Sequence, residues 1–405
     1  MRYIFIFAGN SVLFIIILNN KIMQKKIILI TLLITIQFYC QKENTIGSKL
    51  QTNAAEKLIN TNLKKGLTIG GYAQIDYNQK ESDNGILDVH RFVLLFGYKF
   101  SDKVQFVSEI EYENVKEVFV EQAFLNYTIN DNMNLKAGLM LVPMGIINEY
   151  HEPTTFNGVE RPSMDKSIVP TTWREIGVGV SGRFDDISLK YQAFIFNGFS
   201  SVNGTKVLGG SNGLRNGRQK GAKSTINTPT ISIKIDYYGI AKLRLGISGY
   251  FGKTQPKDDV QNLIGADVGI NMVGLDARYF NKKITARGQF IYTAISNTFA
   301  YNLANSAKLG SRLQGFYIET AYNLLPITKK QKLDAFVRYE KYDTHHKVAT
   351  NIIKNQTHNR NEITFGLTYH IANGAVFKAD YQIKNNAAKN TILKNQFNLG
   401  VGIFF

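Results

Sequence analysis

The 405-residue sequence has little cysteine, proline or tryptophan, and it has few acidic residues for its basic content. A single Cys cannot form a disulfide framework or a cysteine-rich zinc site within the chain. After residue 40 there is no run of about 18 apolar residues, which argues against a helical membrane protein. An apolar content of 44% is too high for an intrinsically disordered chain. Aromatic residues are abundant, with 21 Tyr and 26 Phe.

The excess of basic over acidic residues does not indicate nucleic-acid binding. The chain has 48 Lys+Arg and 31 Asp+Glu, and residues 1–40 contain four of the basic residues and none of the acidic ones. The remainder therefore has 48 − 4 = 44 basic residues and a net charge of +13. These charges are spread along the chain and do not form a basic helix or a nucleic-acid motif. We expect no nucleic-acid partner.

Residues 1–40 have the pattern of an export signal. Met23 and two lysines precede an apolar run over 27–36, which corresponds to the charged and apolar regions of a signal peptide. This pattern predicts that the natural start is Met23 and that cleavage falls near Cys40. Lipidation of Cys40 and an uncleaved anchor are the alternatives.

The segment 41–66 is polar and carries Leu50, Ala54 and Leu58 at intervals of four residues. This spacing is compatible with a short helix, and otherwise the segment is a linker. We assign it no role from the sequence.

From residue 67 onward polar and apolar residues alternate, which is the periodicity of β-strands. About sixteen such segments follow one another, and short turns alternate with mostly longer polar loops. Antiparallel strands joined in this way place all short turns at one end and the long loops at the other. Residues 67–405 are therefore predicted to form an all-β, transmembrane, antiparallel up-and-down barrel. A soluble β-sandwich and a β-helix are the alternatives.

A barrel of this size predicts a water-filled lumen rather than a packed interior. If apolar positions face lipid, the alternate positions line the pore wall, and they include Arg91, Glu109, Glu111 and Arg183. Opposite charges interleave on this wall, so such residues either bias ion passage or form wall ion pairs without a selectivity role.

The connection over residues 143–172 contains four of the seven prolines of the chain, and proline stiffens a loop that must hold one shape. Loops of this length usually have a function. We expect this one to fold into the barrel and form the constriction. A second long loop, 200–227, has five basic residues and no acidic one, so it either attracts anions or is a solvated surface loop. The predicted constriction residues are Glu149, His151, Glu152, Glu160 and Arg161.

Several local motifs then identify a family resemblance. Leu135-Lys-Ala-Gly-Leu, Pro143-Met-Gly-Ile, Asn148-Glu-Tyr-His-Glu-Pro and Pro170-Thr-Thr-Trp-Arg-Glu resemble the Bacteroidetes branch of the phosphate-selective porin O and P family. The resemblance covers about residues 67–405. It implies a trimeric outer-membrane porin of a Gram-negative bacterium, whose third long loop narrows the channel. Phosphate selectivity in that family rests on a basic constriction, whereas the matching loop here carries several glutamates.

Other motifs do not indicate enzyme chemistry. The stretch Gly177–Gly182 has the spacing of a dinucleotide-binding loop, but it lies within a strand pattern and precedes no helix. His345 and His346 are adjacent and have one acidic neighbour, Asp343. No Ser-His-acid arrangement is apparent. We therefore expect no catalytic residues, no cofactor and no metal.

The predicted function is passive diffusion of small hydrophilic solutes or ions, among them anions such as phosphate, across an outer membrane. Outer-membrane lipid and further copies of the chain in a homotrimer are the expected partners. One alternative is a non-conducting surface barrel that acts as a binding protein or adhesin through loops 200–227 and 344–358. The other is an outer-membrane enzyme.

Overall fold

The structure is a computed structural model that describes residues 2–8, 11–17, 52–60, 65–256 and 267–405. In the first unit, β1 (Arg2–Ala8) pairs antiparallel with β2 (Ser11–Ile17). The predicted start at Met23, the apolar run over 27–36 and the predicted cleavage near Cys40 lie outside the described residues.

The second unit, residues 51–405, contains a closed sixteen-stranded barrel. Its strands are β3 (Gly66–Lys80), β4 (Ile86–Lys99), β5 (Val104–Glu113), β6 (Glu117–Asn130), β7 (Met133–Leu141), β8 (Arg174–Phe184), β9 (Leu189–Phe196), β12 (Thr230–Ile240), β13 (Leu243–Lys253), β14 (Gly269–Phe280), β15 (Ile284–Ile295), β16 (Gly310–Asn323), β17 (Lys332–Val348), β18 (Asn359–Ala372), β19 (Ala375–Asn386) and β20 (Gln396–Phe404). A small hairpin of β10 (Val202–Asn203) and β11 (Lys206–Val207) lies in the connection between β9 and β12. The helices are α1 (Ala54–Asn60), α2 (Met164–Ser167) and α3 (Thr298–Asn305).

Each barrel strand pairs antiparallel with its neighbours in sequence, and β20 pairs with β3 to close the ring. Closure gives every strand two hydrogen-bonded neighbours, as a barrel within lipid requires. Short turns such as 241–242 and 373–374 alternate with connections such as 142–173 and 197–229. The predicted fold class is confirmed. Among the described residues, no helix is long and apolar enough to cross a membrane.

The outer surface of the barrel is apolar. On β12, Ile231 and Ile235 are 49% and 40% exposed, whereas the alternating residues Lys234 and Asp236 are buried. This is the outward-apolar, inward-polar alternation of a transmembrane barrel. Exposed tyrosines such as Tyr322 lie near strand ends, where such barrels carry aromatic girdles.

The interior differs from the water-filled lumen that the sequence predicts. Apolar side chains of the 142–173 connection, including Met144, Ile146 and Tyr150, are fully buried inside the barrel. They belong to one core cluster with wall residues such as Met272 and Ile291. At this level the apolar residues of the connection fill the barrel with side chains. Strand periodicity cannot predict this packing, because the connection is not a strand.

One boundary differs from the sequence prediction, and the segment before the barrel takes one of its two expected forms, a short helix. Strand β17 continues to Val348, so the connection predicted over 344–358 begins five residues later, and His345 and His346 belong to the strand. Within 41–66 the described part contains helix α1, which packs against β4 and β5 inside the unit.

Candidate constriction site inside the barrel

The 142–173 connection, called here the constriction loop, runs across the barrel interior. Its backbone N–H groups donate to three separated wall strands: Ile146 to Gln289 on β15 (2.5 Å), Val159 to Asp380 on β19 (2.6 Å) and Met164 to Glu340 on β17 (3.0 Å). Wall side chains therefore satisfy the backbone of the loop at intervals along its length. This arrangement agrees with the inward folding that its length and prolines predict.

Glycine permits the close approach of this loop to the wall. Gly145 and Gly158 have φ angles of +68° and +77°, which favour glycine. A Cβ atom at Gly145 would lie 2.6 Å from Gln289 Oε1. Any larger residue at Gly145 would therefore displace the wall side chain that accepts the next backbone hydrogen bond.

Glu149 is anchored to the wall by a buried lysine. Its Oε2 lies 2.6 Å from Lys234 Nζ, and its Oε1 accepts a hydrogen bond from Gln192 Nε2 at 2.6 Å. Lys234 is fully buried and also donates to the carbonyl of Gly145. Burial raises the pKa of Glu149, but the charges of Lys234 and Lys190 together outweigh burial and lower this pKa, so the carboxylate stays ionised.

His151 lies in a cluster of polar side chains from three strands. Its Nε2 is 3.0 Å from Tyr72 Oη, 3.3 Å from Glu121 Oε2 and 3.7 Å from Glu109 Oε1. Its Nδ1 is 3.2 Å from the carbonyl of Asn148. Burial lowers the pKa of His151, but the two carboxylates outweigh that effect and raise it to about 9. The imidazolium then balances part of their charge.

Glu152 connects the constriction loop to helix α1, because it accepts a hydrogen bond from the backbone N–H of Ala54. The helix is also held by an ion pair between Glu56 and Lys190 on β9, and the Lys57 ammonium lies 3.5 Å from the centre of the Phe404 ring. Burial raises the pKa of Glu56, but Lys190 lowers it to about 2. Helix α1 therefore lies inside the barrel as a second inserted element.

The remaining loop residues are less buried. Glu160 accepts a hydrogen bond from Asn78 Nδ2 at 2.9 Å. Arg161 is half-buried and has no ion pair or hydrogen bond with the described residues. Burial and the nearby charge of Arg91 lower the pKa of Arg161 to about 10, which leaves it cationic at neutral pH. Of the five predicted constriction residues, Glu160 and Arg161 are the two that keep part of their surface exposed.

The four predicted wall residues are not all close to the loop. Arg91 is fully buried and donates to the carbonyl of His151 and to Gln74 Oε1, and Glu109 faces the His151 ring. Glu111 is buried on β5. Arg183 lies one residue before the end of β8, beside the short turn, and it is half-buried. The structure therefore brings Arg91 and Glu109 to the constriction loop and leaves Arg183 at the turn end of the barrel.

Several other charged residues of the barrel wall are paired. Asp236 lies 2.7 Å from Arg244 and 3.2 Å from Arg278, and Glu319 lies 2.6 Å from Arg287. Arg338 Nε and Glu340 Oε1 are 3.4 Å apart. For these residues the interpretation as wall ion pairs describes the structure. In the cluster around His151, the sequence analysis did not single out Tyr72 and Glu121.

The basic connection between β9 and β12 packs against the constriction loop. Arg215 donates to the carbonyl of Thr171, and Arg218 Nη1 donates to the carbonyls of Pro170 and Thr172, at 3.0 Å each. Leu208 and Leu214 of the same connection are buried. The interpretation as a solvated surface loop is therefore wrong for this part, because two of its arginines hold the end of the constriction loop.

Comparison with known proteins agrees with the architecture. No protein-family model matches the chain. OmpF of Salmonella typhi, in complex with daunomycin, superposes with a TM-score of 0.57 over 84% of this chain and 98% of its own, at 11% identity. The outer membrane channel DcaP of Acinetobacter baumannii and an anion-selective porin from Comamonas acidovorans both give 0.56 over 84% of this chain, and over 97% and 100% of their own, at 11% identity. At this identity the likeness shows the fold.

One known protein is related to this chain in sequence. An uncharacterized protein of Aquifex aeolicus strain VF5 is 33% identical over 334 residues, which are 79% of this chain and 76% of the relative. The chain belongs to the same family as this Aquifex protein, and its fold is the sixteen-stranded barrel of the porins.

Proposed function

We propose that the protein is a porin-type channel in the outer membrane of a Gram-negative bacterium. Small hydrophilic solutes or ions would diffuse passively past the constriction loop, and the apolar outer face would contact lipid. The observation that carries this proposal is a charged loop folded inside a closed sixteen-stranded barrel and bound to its wall. Assembly as a homotrimer is part of the proposal and rests on the family resemblance.

The mechanism needs only sieving by width and bias by fixed charge. Wall arginines such as Arg244, Arg287 and Arg338 are paired with carboxylates, so they add little net field at the bore. Arg161 keeps an unpaired charge among the described residues and lies near Arg91. We therefore propose a preference for small anions. Phosphate is the solute that the resemblance suggests, although Glu160 lies beside Arg161 and weakens the local positive field.

The packed interior favours a second candidate function. Lumen-facing residues such as Arg338, Asn398 and Tyr317 have no exposed surface. A barrel closed in this way could be a non-conducting surface protein that binds a partner or acts as an adhesin through its long connections.

Planar-bilayer recording of the refolded mature chain distinguishes the two candidates. A porin gives discrete conductance steps, and a trimer gives them in threes. A folded barrel that stays silent, with its fold verified by circular dichroism and heat-dependent gel mobility, would contradict the channel proposal and favour the surface-binding function.

The proposed anion preference rests on unpaired arginines. Replacement of Arg161 and Arg183 by Ala should move the reversal potential across a salt gradient toward cation preference, with the larger effect from Arg161→Ala. Lys282→Ala, in an exposed short turn, removes the same charge far from the constriction and should leave the reversal potential unchanged. Identical reversal potentials in all variants would refute the assignment.

A further inference from the structure

The cluster around His151 has a geometry that its porin role does not require. Three side chains from three separate segments each contribute one potential ligand atom: Glu109 from β5, Glu121 from β6 and His151 from the constriction loop. All three are buried, and these three atoms lie within 4.8 Å of one another. The Tyr72 hydroxyl from β3 is 2.6 Å from Glu109 Oε1 and 3.3 Å from Glu121 Oε2.

These separations suit a small divalent cation. In a tetrahedral site with bonds of about 2.0–2.1 Å, neighbouring donor atoms lie ~3.4 Å apart. The His151 Nε2 separations of 3.3 Å to Glu121 and 3.7 Å to Glu109 lie on either side of that value. Tyr72 Oη is only 2.6 Å from Glu109 Oε1, a hydrogen-bond distance, so Tyr72 orients that carboxylate and the fourth position is left to water.

Other residues hydrogen-bond to the proposed ligands and hold them in position, as is usual around bound metals. His151 Nδ1 faces the carbonyl of Asn148, a contact that fixes the ring and leaves Nε2 directed at the carboxylates. Gln122 Nε2 donates to the outer oxygen of Glu109 at 2.6 Å. Glu121 is fully buried, and its Oε1 accepts no hydrogen bond from the other described residues, although Arg174 Nη1 is 3.5 Å away.

We propose that His151, Glu109 and Glu121, with water in the fourth position, form a binding site for a divalent transition-metal cation, with Zn²⁺ as the best match. One imidazole and two carboxylates are ordinary zinc ligands, and the two carboxylates cancel the charge of the cation. The cation would replace the imidazole proton between the same groups. It would also connect the constriction loop to β5 and β6. This site does not depend on conduction, so it can be tested apart from the proposed channel function.

The test is Zn²⁺ titration of the detergent-folded full chain after removal of metals with a chelator. Isothermal titration calorimetry should give one bound Zn²⁺ per chain, and the melting temperature should rise with Zn²⁺. Co²⁺ added instead should give the visible absorption bands of a four-coordinate site. Glu109→Gln with Glu121→Gln, and separately His151→Ala, should weaken binding about 100-fold or more and abolish the Co²⁺ bands.

Two control variants show whether Zn²⁺ binding is specific to this cluster. Glu175→Gln changes a buried carboxyl that is hydrogen-bonded to Trp173, outside the proposed site, and should leave binding unchanged. His358→Ala removes a half-buried histidine whose ring lies 4.5 Å from that of His345, and it tests for binding by histidines elsewhere. Each variant is checked for heat-dependent gel mobility, so that a loss of fold is not mistaken for a loss of ligand. Absence of stoichiometric binding to the wild type, or equal binding by folded E109Q/E121Q, would overturn the proposal.

Discussion

Lys234 binds the constriction loop at two points. It is fully buried, and its ammonium contacts both Glu149 and the carbonyl of Gly145. A buried ion pair adds little stability relative to apolar residues of the same size, but removal of one partner leaves an uncompensated charge. A loss of stability is therefore expected when only one of the two partners is replaced.

Lys234→Met should destabilise the barrel by about 3–5 kcal/mol, because Glu149 would remain buried without its cation. The double variant Lys234→Met with Glu149→Gln should regain most of that loss. Urea unfolding in detergent measures both, and Lys282→Ala is the matched loss of an exposed lysine. A loss as large in the double variant as in the single one would contradict this explanation.

Asp165 in α2 should make loop docking depend on pH. Burial raises the pKa of Asp165 to about 7, although a hydrogen bond from Gln289 and the charge of Arg287 lower it. A carboxyl with a raised folded-state pKa stabilises the folded state below its unfolded pKa of ~3.9, and this stabilisation is lost as pH rises to about 7.

Asp165→Asn removes that dependence. The variant and the wild type should unfold alike near pH 4, and the variant should be the more stable near pH 8, by at most about 4 kcal/mol. The difference between their unfolding midpoints across pH is the measurement, because it cancels the titration of all other groups. A constant difference from pH 4 to pH 8 would contradict the assignment.

Residue-level prediction from the sequence failed where strands depart from regular pairing. Glu109 pairs with Gln122 and Ile110 with Val120, so Glu121 is the extra residue of a bulge. Glu121 and Gln122 are consecutive, and both are buried. The alternation of inward and outward side chains cannot predict two consecutive buried residues. For that reason the sequence analysis did not identify the charge cluster at His151.

At the scale of elements, strand periodicity and turn lengths predicted the barrel strands and their order, because both are local properties. The inward folding of the constriction loop agrees with its proline content. The contacts of that loop could not be predicted, since they join residues such as Val159 and Asp380 that are 221 positions apart. Helix α1 had a local signal in the spacing of Ala54 and Leu58, but no local pattern indicated that it enters the barrel.

Helix α1 should narrow the turn end of the bore. Deletion of residues 52–60 should increase single-channel conductance while the barrel still folds, because these residues contribute no barrel strand. Deletion of residues 42–50, of the same length and without α1, is the control. Unchanged conductance after removal of α1 would show that the helix does not narrow the path.

At the scale of the whole molecule, the same strands form an outer face that must be apolar and an inner face that must hold charges. The outer face is apolar, and the inner face holds paired charges together with an apolar core formed by the connections. Sixteen strands enclose more volume than their own side chains can fill. The constriction loop, the β9–β12 connection and α1 occupy that volume, and they would therefore decide what passes.

The central claim is that the constriction loop, while docked on the wall, sets the bore of a conducting barrel. A Cβ atom at Gly400 would lie 3.1 Å from Val159 Cγ1, so cysteines at these two positions are close enough for a disulfide. The most direct measurement is single-channel conductance of Val159→Cys with Gly400→Cys, in a Cys40→Ala background, before and after reduction. We predict that the disulfide forms and that the oxidised channel conducts with the same step as the reduced one. Conductance that is absent when oxidised and returns on reduction would show that the loop must leave the wall, and it would contradict this claim.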